Sequence, residues 1–469
     1  MKLIKLTNIP SAVLVLQLLL FLSACSDGSM EGRILLTEVP QNGSNEIGYR
    51  DYLKVEGTRI VALLPGGNTA VNLTEDFIST ASPAVSYDGE NMLFSAKKES
   101  TDHFQIFELK LSSGKVRQIT SCEEDCTNPI YLPIGRFGFI REVASEKVKN
   151  SNAVFTGMLD GTNIQQVTFS PQRFSSLTAL NDGRILSLVK TVYPEEGAPK
   201  LLVMRPDGTK LELFYKSDVG TQLCSGAVET SSENLFFVEG NDTESRVASV
   251  SYNLPLHSHK IIMEGEKNAF LSLGSYLDDR LLLSYKKTNS DNYILGELNP
   301  VDGTIRELYK SEGYNVIGAV LVQAYQRPKN LPSEVQPLEH AGLLLCQDIN
   351  FLGIESLKNE SEKAQKIEIL GIDSTLGVVD VEDDGSFYLK VEANMPFRVQ
   401  TLSADNKVIN GPGSWYYIRP NERRACVGCH TGPEISPFNK QPLAVTKNPV
   451  IIKNNSELKL TKNTKDYEH

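Results

Sequence analysis

Five stretches of the chain repeat one hydropathy pattern, a polar turn followed at once by a short apolar strand. They are Tyr87-Asp88-Gly89 into Met92-Leu93-Phe94, Pro133-Ile134-Gly135 into Phe137–Ile140, Asn181-Asp182-Gly183 into Ile185–Leu188, Ser232-Glu233 into Leu235–Val238, and Asp278-Asp279 into Leu281–Leu283. Anchors at 89, 135, 183, 233 and 279 are spaced by 46, 48, 50 and 46 residues. Between them lie Asp160-Gly161, Asp207-Gly208 and Asp302-Gly303, each between β-rich runs. An Asp-Gly pair supplies the positive φ angles that tight hairpins need. A period of this size, with about four strands per unit, predicts β-propeller blades that bury their faces against one another. Weaker units around Tyr52–Leu73 and Tyr314–Ala324 flank the five. The reading is six blades over 33–328, with seven as the alternative.

Pro328 and Pro332, with Pro337 close behind, favour extended backbone and mark a linker. Beyond it the strand pattern resumes in Gly342–Gln347, Ala364–Gly371, Thr375–Val381, Phe387–Val391, Phe397–Leu402 and Lys407–Ile409, with Asp383-Asp384-Gly385 and Asp405-Asn406 as turns. This predicts a small β-sandwich over 329–412. The fold class is therefore all-β: a propeller, a sandwich, a short motif-bearing segment over 413–452, and a polar tail over 453–469.

The first residues have a different character. Lys2 and Lys5 precede an apolar run, Ala12–Leu22, broken by Gln17. The run falls short of the ~20 residues a bilayer-spanning helix needs, and reads as a signal peptide. It closes on Leu22-Ser23-Ala24-Cys25, which resembles the bacterial lipoprotein cleavage box. The expectation is a signal over 1–24, lipid on Cys25, a tether over 25–32, and membrane attachment through that lipid. Ser26 in place of Asp resembles an outer-membrane address, so the expected place is an exported lipoprotein on the periplasmic or cell-surface side.

Charge narrows the partners. Lys+Arg 47 against Asp+Glu 58 gives a net charge of −11, the opposite of a nucleic-acid-binding footprint. Nucleic acid is excluded, and a protein partner is expected to dock through a basic surface.

Of the seven cysteines, six remain to be assigned once Cys25 is set aside. Cys122 and Cys126 are close enough for a local disulfide across a loop. Cys224 and Cys346 lie in apolar runs and read as buried thiols. Cys426-Val427-Gly428-Cys429-His430 is a C-x-x-C-H motif, the attachment site of c-type haem. Each thiol adds to one vinyl group, and the adjacent histidine lies under the iron as a ligand. An export signal places the motif where c-haem is installed, and the chain has no second C-x-x-C to complete a zinc site. Trp415, Tyr416 and Tyr417 are available to cover a porphyrin face, with sandwich core as the other reading of Trp415. Candidates for a sixth iron ligand are Met395, His340, a tyrosine of the 416–417 pair, or none. His257 and His259 form an H-x-H, read as surface histidines ahead of a metal pair. No residue is singled out as catalytic.

Gly411–Ala425 before the motif, Thr431–Glu434 and Pro442-Leu443-Ala444 after it, Val381–Phe387, and the Arg327-Pro328…Leu331-Pro332 linker together resemble the hydrazine synthase alpha subunit and its relatives. The propeller turns resemble those of TolB-like propellers. The first resemblance implies an N-terminal propeller, a β-rich middle domain and c-type haem. That subunit carries two haems, whereas this chain has one C-x-x-C-H, with 39 residues following His430. The expectation is that a second haem domain is missing and that hydrazine synthesis does not transfer. The expected function is that of a lipid-anchored monohaem c-type cytochrome, with a propeller for partner docking. The alternatives are a binding scaffold with a structural haem, or a five-coordinate haem enzyme acting on a small nitrogen or peroxide species.

Overall fold

The computed structural model describes residues 30–41, 53, 55–64, 69–288, 291–351, 363–428 and 440–453. Cys25, with the signal and tether, lies outside them, as do Cys429, His430 and the tail beyond 453.

The described residues are built of strands and short 3-10 turns. In the propeller region they form six sheets of four or five strands. The first combines the strands Ile34–Pro40, Arg59–Leu63 and Ala70–Asn72 with Tyr314–Leu321 from the region's far end. The two weak flanking units of the sequence are therefore halves of one sheet. Thr37 pairs with Ile317 and Val39 with Asn315, so the ends of the propeller sequence are stitched by main-chain hydrogen bonds.

Six apolar clusters are each shared by two sheets that follow one another, and a seventh joins Val39 and Ile317 of the first sheet to Ala81 of the second and Leu271 of the sixth. Phe94 and Phe107 of the second sheet pack with Ile60 and Leu35 of the first. Phe139 and Phe155 of the third pack with Leu93 and Ile106 of the second. The series continues through Val154 with Ile185, Leu201 with Phe237, and Val247 with Leu283. Leu282 and Leu295 of the sixth sheet then meet Leu36 and Val61 of the first. No sheet has a private core, which is why the repeat cannot stand alone.

The glycine turns do what their positive φ suggests. Gly208, at φ +82°, lies so close to the preceding sheet that a Cβ would come within 1.8 Å of the Val167 carbonyl, so no other residue fits there. Gly183, at φ +91°, is covered in the same way by the carbonyl of Lys329 in the linker.

Past the linker two four-stranded sheets face each other. One orders its strands as Arg423–Cys426, Ala341–Cys346, Phe387–Glu392 and Val450–Ile452; the other as Thr375–Asp380, Lys366–Leu370, Arg398–Leu402 and Val408–Asn410. Leu344, Cys346, Leu389 and Val391 meet Ile367, Ile369, Val379 and Phe397 in a common core. The predicted strands fall where expected, to within a residue or two at most ends. The described residues of the segment 413–452 add two strands that the hydropathy pattern does not predict, and both pair in parallel with the sandwich. Its strand Arg-Arg-Ala-Cys lacks an apolar run, because it lies at a sheet edge and borrows its place from the neighbouring ladder.

Candidate functional site

Cys426 ends the edge strand Arg423–Cys426, in register with Cys346 at the end of the adjacent parallel strand. The Gln347 amide donates to the Cys426 carbonyl at 2.8 Å, fixing that register. Cys426 is half-buried and packs against the sandwich core, in which Cys346 is fully buried. Neither is in a disulfide. Gly428 follows at φ +152°, and a Cβ there would approach the Asp348 carbonyl to 2.4 Å. The described half of the motif is thus pressed onto the chain just after Cys346.

This geometry fits a thioether anchor at Cys426: the residue sits at a strand end, is only half-buried, and its thiol lies 3.6 Å from the carbonyl of Gly428, whose positive φ a side chain rarely adopts. The second thiol and the histidine of the motif, Cys429 and His430, lie outside the described residues.

The aromatic trio is elsewhere. Ile418, one residue past Tyr417, sits against Gly342, and its carbonyl accepts from the Asn394 amide at 2.8 Å. That is the opposite end of the sheet from Cys346. Trp415 is buried, and its indole N–H donates to the Tyr193 carbonyl of the propeller at 2.7 Å. Tyr417 is buried, and its hydroxyl donates to the Gly208 carbonyl at 2.8 Å. Two of the three rings expected over a porphyrin are therefore committed to the propeller. Tyr416 alternates to the other side, is more exposed, and lies under the Arg424 guanidinium at 5.7 Å.

His340 is exposed, immediately precedes the strand Ala341–Cys346, and accepts the Ala393 amide at its carbonyl. At ~3.3 Å per residue along a strand, it stands about 20 Å from the rung that holds Cys426. Met395 lies at the same far end, beyond Glu392, which pairs with Ala341. The structure brings neither sixth-ligand candidate to Cys426.

Around the aromatics is a polar junction that no sequence motif singles out. Arg419, buried, donates through Nε to the Asp207 carbonyl at 3.0 Å, and lies 4.9 Å from the Phe169 ring. Arg424 donates to the Leu211 carbonyl at 2.7 Å. Glu422, also buried, accepts the Lys210 amide from the propeller and the Arg419 amide from its own turn, both at 2.8 Å. Asp207 accepts both the amide and the hydroxyl of Thr209, and on its other oxygen the Ser333 hydroxyl and the Glu334 amide of the linker. One propeller hairpin is thereby tied to both the linker and the sandwich.

The charges respond in opposite directions. Burial raises the pKa of Glu422 above the usual carboxylate range, and its two amide donors do not fully offset this. Burial acts on Asp207 in the same sense, but hydrogen bonds from Thr209, Glu334 and Ser333 outweigh it and hold its pKa low. Burial also pushes the Tyr417 phenol up and the Arg419 guanidinium down. The residues of this junction stand in the sequence as Arg419-Pro420-Asn421-Glu422 beside the C-x-x-C-H motif, and as Asp207-Gly208, which reads as a turn alone.

The remaining sequence candidates separate. The expected Cys122–Cys126 disulfide is not formed: both are free thiols. Cys126 opens the strand Cys126–Leu132 with its side chain in the core, while Cys122 stays half-buried with the Arg141 guanidinium 3.9 Å from its sulfur. Cys224 is exposed rather than buried, in the break between Gln222–Leu223 and Val228–Glu229. His259 bonds Glu239 at 2.8 Å and stacks on Tyr215. His257 sits in the preceding turn.

The innermost strands of the propeller enclose a cavity of about 330 Å³, lined in part by Thr37, Ser82, Asn128, Ser272 and Tyr325, with no charged side chain among its walls. The Thr37 hydroxyl is buried there without a hydrogen-bond partner.

Fold and site together define a β-propeller protein whose β-sandwich carries a cysteine-motif edge strand. Comparison with known proteins agrees. The hydrazine synthase alpha subunit middle domain model matches residues 352–431. Hydrazine synthase subunit alpha of Kuenenia stuttgartiensis is 29% identical over 105 residues, which is 22% of this chain and 13% of that protein's length. The solved Kuenenia stuttgartiensis hydrazine synthase superposes with a TM-score of 0.76 at 18% identity, over 89% of this chain and 71% of that chain. TolB from Acinetobacter baumannii aligns over 68% of this chain and 75% of its own, at 13% identity and a TM-score of 0.47. The chain resembles the hydrazine synthase alpha subunit in its middle domain, and shares the propeller-plus-sandwich fold of the solved enzyme.

Proposed function

We propose that the chain is a monohaem c-type cytochrome that transfers electrons, with Cys426 and Cys429 as covalent anchors and His430 as an iron ligand. The observation that carries this reading is the C-x-x-C-H sequence starting at Cys426, whose thiol ends a half-buried edge strand inside the region matched by the hydrazine synthase alpha middle domain model. The haem supplies a reversible one-electron centre. The chain's own contribution is to hold the site rigidly to the propeller through Tyr417, Arg419, Glu422 and Arg424, so that a partner docked on the propeller is set at a fixed distance from it. The partner is a redox protein with a basic surface, and lipid on Cys25 holds the assembly to a membrane.

A second reading has its own support. The sandwich's described histidine and methionine, His340 and Met395, both lie away from Cys426. This favours an open sixth position and chemistry on a small nitrogen or peroxide species.

The test is a haem stain of a denaturing gel and an optical spectrum, with protein matured in a host that attaches c-type haem. A stained band that vanishes in the Cys426→Ser/Cys429→Ser variant supports covalent haem, and an unstained wild-type band defeats it. A spectrum unmoved by CO or cyanide supports electron transfer; a shifted one favours the second reading. Cys25→Ser is expected to move the protein from the membrane to the soluble fraction.

A further inference from the structure

Cys346 plays no part in the haem reading, yet it is the residue paired with Cys426. The two strands are parallel, and four successive rungs run from Leu343 with Arg423 to Cys346 with Cys426. Paired residues of adjacent strands point to the same face and stand about 4.8 Å apart. Both side chains accordingly turn into the sandwich: Cys346 is wholly buried in its core and Cys426 packs against that core. Cα separations of about 4.4–6.8 Å permit a disulfide. The amide of Gln347 on the Cys426 carbonyl at 2.8 Å, and that of Leu343 on the Glu422 carbonyl at 2.8 Å, keep the two strands from sliding apart.

We propose that Cys346 and Cys426 form a reversible disulfide that holds Cys426 back until it is reduced. Each thiol gives up its hydrogen, one S–S bond forms, and the two electrons and two protons pass to a protein disulfide oxidant, which leaves as a dithiol. A thiolate reductant reverses the exchange. A sulfur held in this bond cannot add to a vinyl group, so Cys346 acts as a gate on haem attachment. That consequence, unlike the disulfide itself, rests on the haem reading of the motif. The closed form also ties the edge strand to its neighbour, so the site is preassembled before any haem arrives.

The experiment is peptide mapping of the full-length exported chain made in a host without haem-attachment machinery. Free thiols are blocked with iodoacetamide under denaturing conditions, and linked peptides are fragmented to assign the sulfurs. A peptide joining Cys346 to Cys426 is expected. Cys426 joined to Cys429 alone, or Cys346 and Cys426 both alkylated, overturns the proposal. In a haem-competent host with limiting reductant, Cys346→Ser and Cys346→Ala are expected to raise haem per chain by about twofold or more; an unchanged yield in a folded variant overturns the gate. Absence of haem from wild type and variants alike defeats the haem reading, while the peptide map still decides the disulfide.

Discussion

The hydroxyl of Tyr417 meets the carbonyl of Gly208 at 2.8 Å, across 209 residues of sequence. It joins the middle domain to a hairpin whose glycine is itself irreplaceable, since a Cβ at Gly208 would run into Val167. A tyrosine close in sequence to a C-x-x-C-H motif suggests a cofactor contact. Here its ring lies edge-on to Phe169 of the propeller at 5.8 Å, and its hydroxyl satisfies a propeller carbonyl.

Tyr417→Phe keeps the ring and removes the donor, leaving the Gly208 carbonyl buried without it. The expected loss is about 1–3 kcal/mol, concentrated on the junction rather than on either core. Limited proteolysis of the linker between 326 and 337 should accelerate while the propeller fragment stays resistant. Trp415→Phe, which removes the indole donor to Tyr193, should act in the same direction. If neither variant changes linker cleavage, the junction does not depend on these bonds.

The strands were legible in the sequence and the ties between them were not. Asp-Gly and Asn-Asp-Gly turns announced the propeller hairpins, and Leu343–Leu345 announced a sandwich strand. Periodicity fails where a strand's place is set by its neighbour. Tyr314–Leu321 belongs with Ile34–Pro40, which is hundreds of residues earlier, and no local pattern says so. Arg423–Cys426 carries too little apolar character to read as a strand, and is one because Ala341–Cys346 offers it a free edge. The aromatic trio misleads for a related reason. Proximity in sequence to Cys426 suggests proximity in space, but an extended chain of ten residues spans about 33 Å, enough to carry Trp415 and Tyr417 to the far end of the sheet.

Glu422 and Asp207 give the junction a two-sided pH dependence. Glu422 has its folded pKa raised by burial. The folded state therefore binds its proton more tightly than the unfolded one, and the associated stability declines as pH rises from the ordinary carboxylate value through the raised one. Asp207 has its pKa lowered by hydrogen bonds that overcome burial. Its contribution is present above the ordinary value and is lost as pH falls through the lowered one. Denaturant titrations across this range should show Asp207→Asn removing the acid-side loss. Glu422→Gln should flatten the decline on the other side, at a cost of about 1–3 kcal/mol for the amide left without an acceptor. Parallel curves for wild type and both variants would show that these carboxylates do not set the profile.

A net charge of −11 acts on any partner before contact. Oppositely charged proteins associate faster at low ionic strength, by about 10-fold to 1,000-fold, and the gain falls as the Debye length shrinks from about 30 Å at 0.01 M to about 8 Å at 0.15 M salt. If the haem reading holds, electron exchange with a small basic redox protein should slow at least about tenfold over that range. An acidic redox protein of similar potential should show the reverse trend. Rates that are flat with salt for both would remove the basic-partner proposal.

Gly428 offers the sharpest test of how the motif is held. Its φ of +152° and the 2.4 Å approach that a Cβ would make to the Asp348 carbonyl mean that any side chain must displace backbone, not merely a flexible neighbour. Phe351 crowds the same point, with its Cβ at 3.0 Å. Gly428→Ala should therefore lift the chain after Cys426 away from the segment 348–351, while the strand pairing of Leu343–Leu345 with Arg423–Ala425 persists. If the haem reading holds, the variant should load markedly less haem than wild type, at a melting temperature lowered by no more than a few degrees. Val427→Ala, which keeps the glycine, should load normally. Equal loading in both variants would show that the close packing of Gly428 on Asp348 is not what presents Cys426 and the residues after it for attachment.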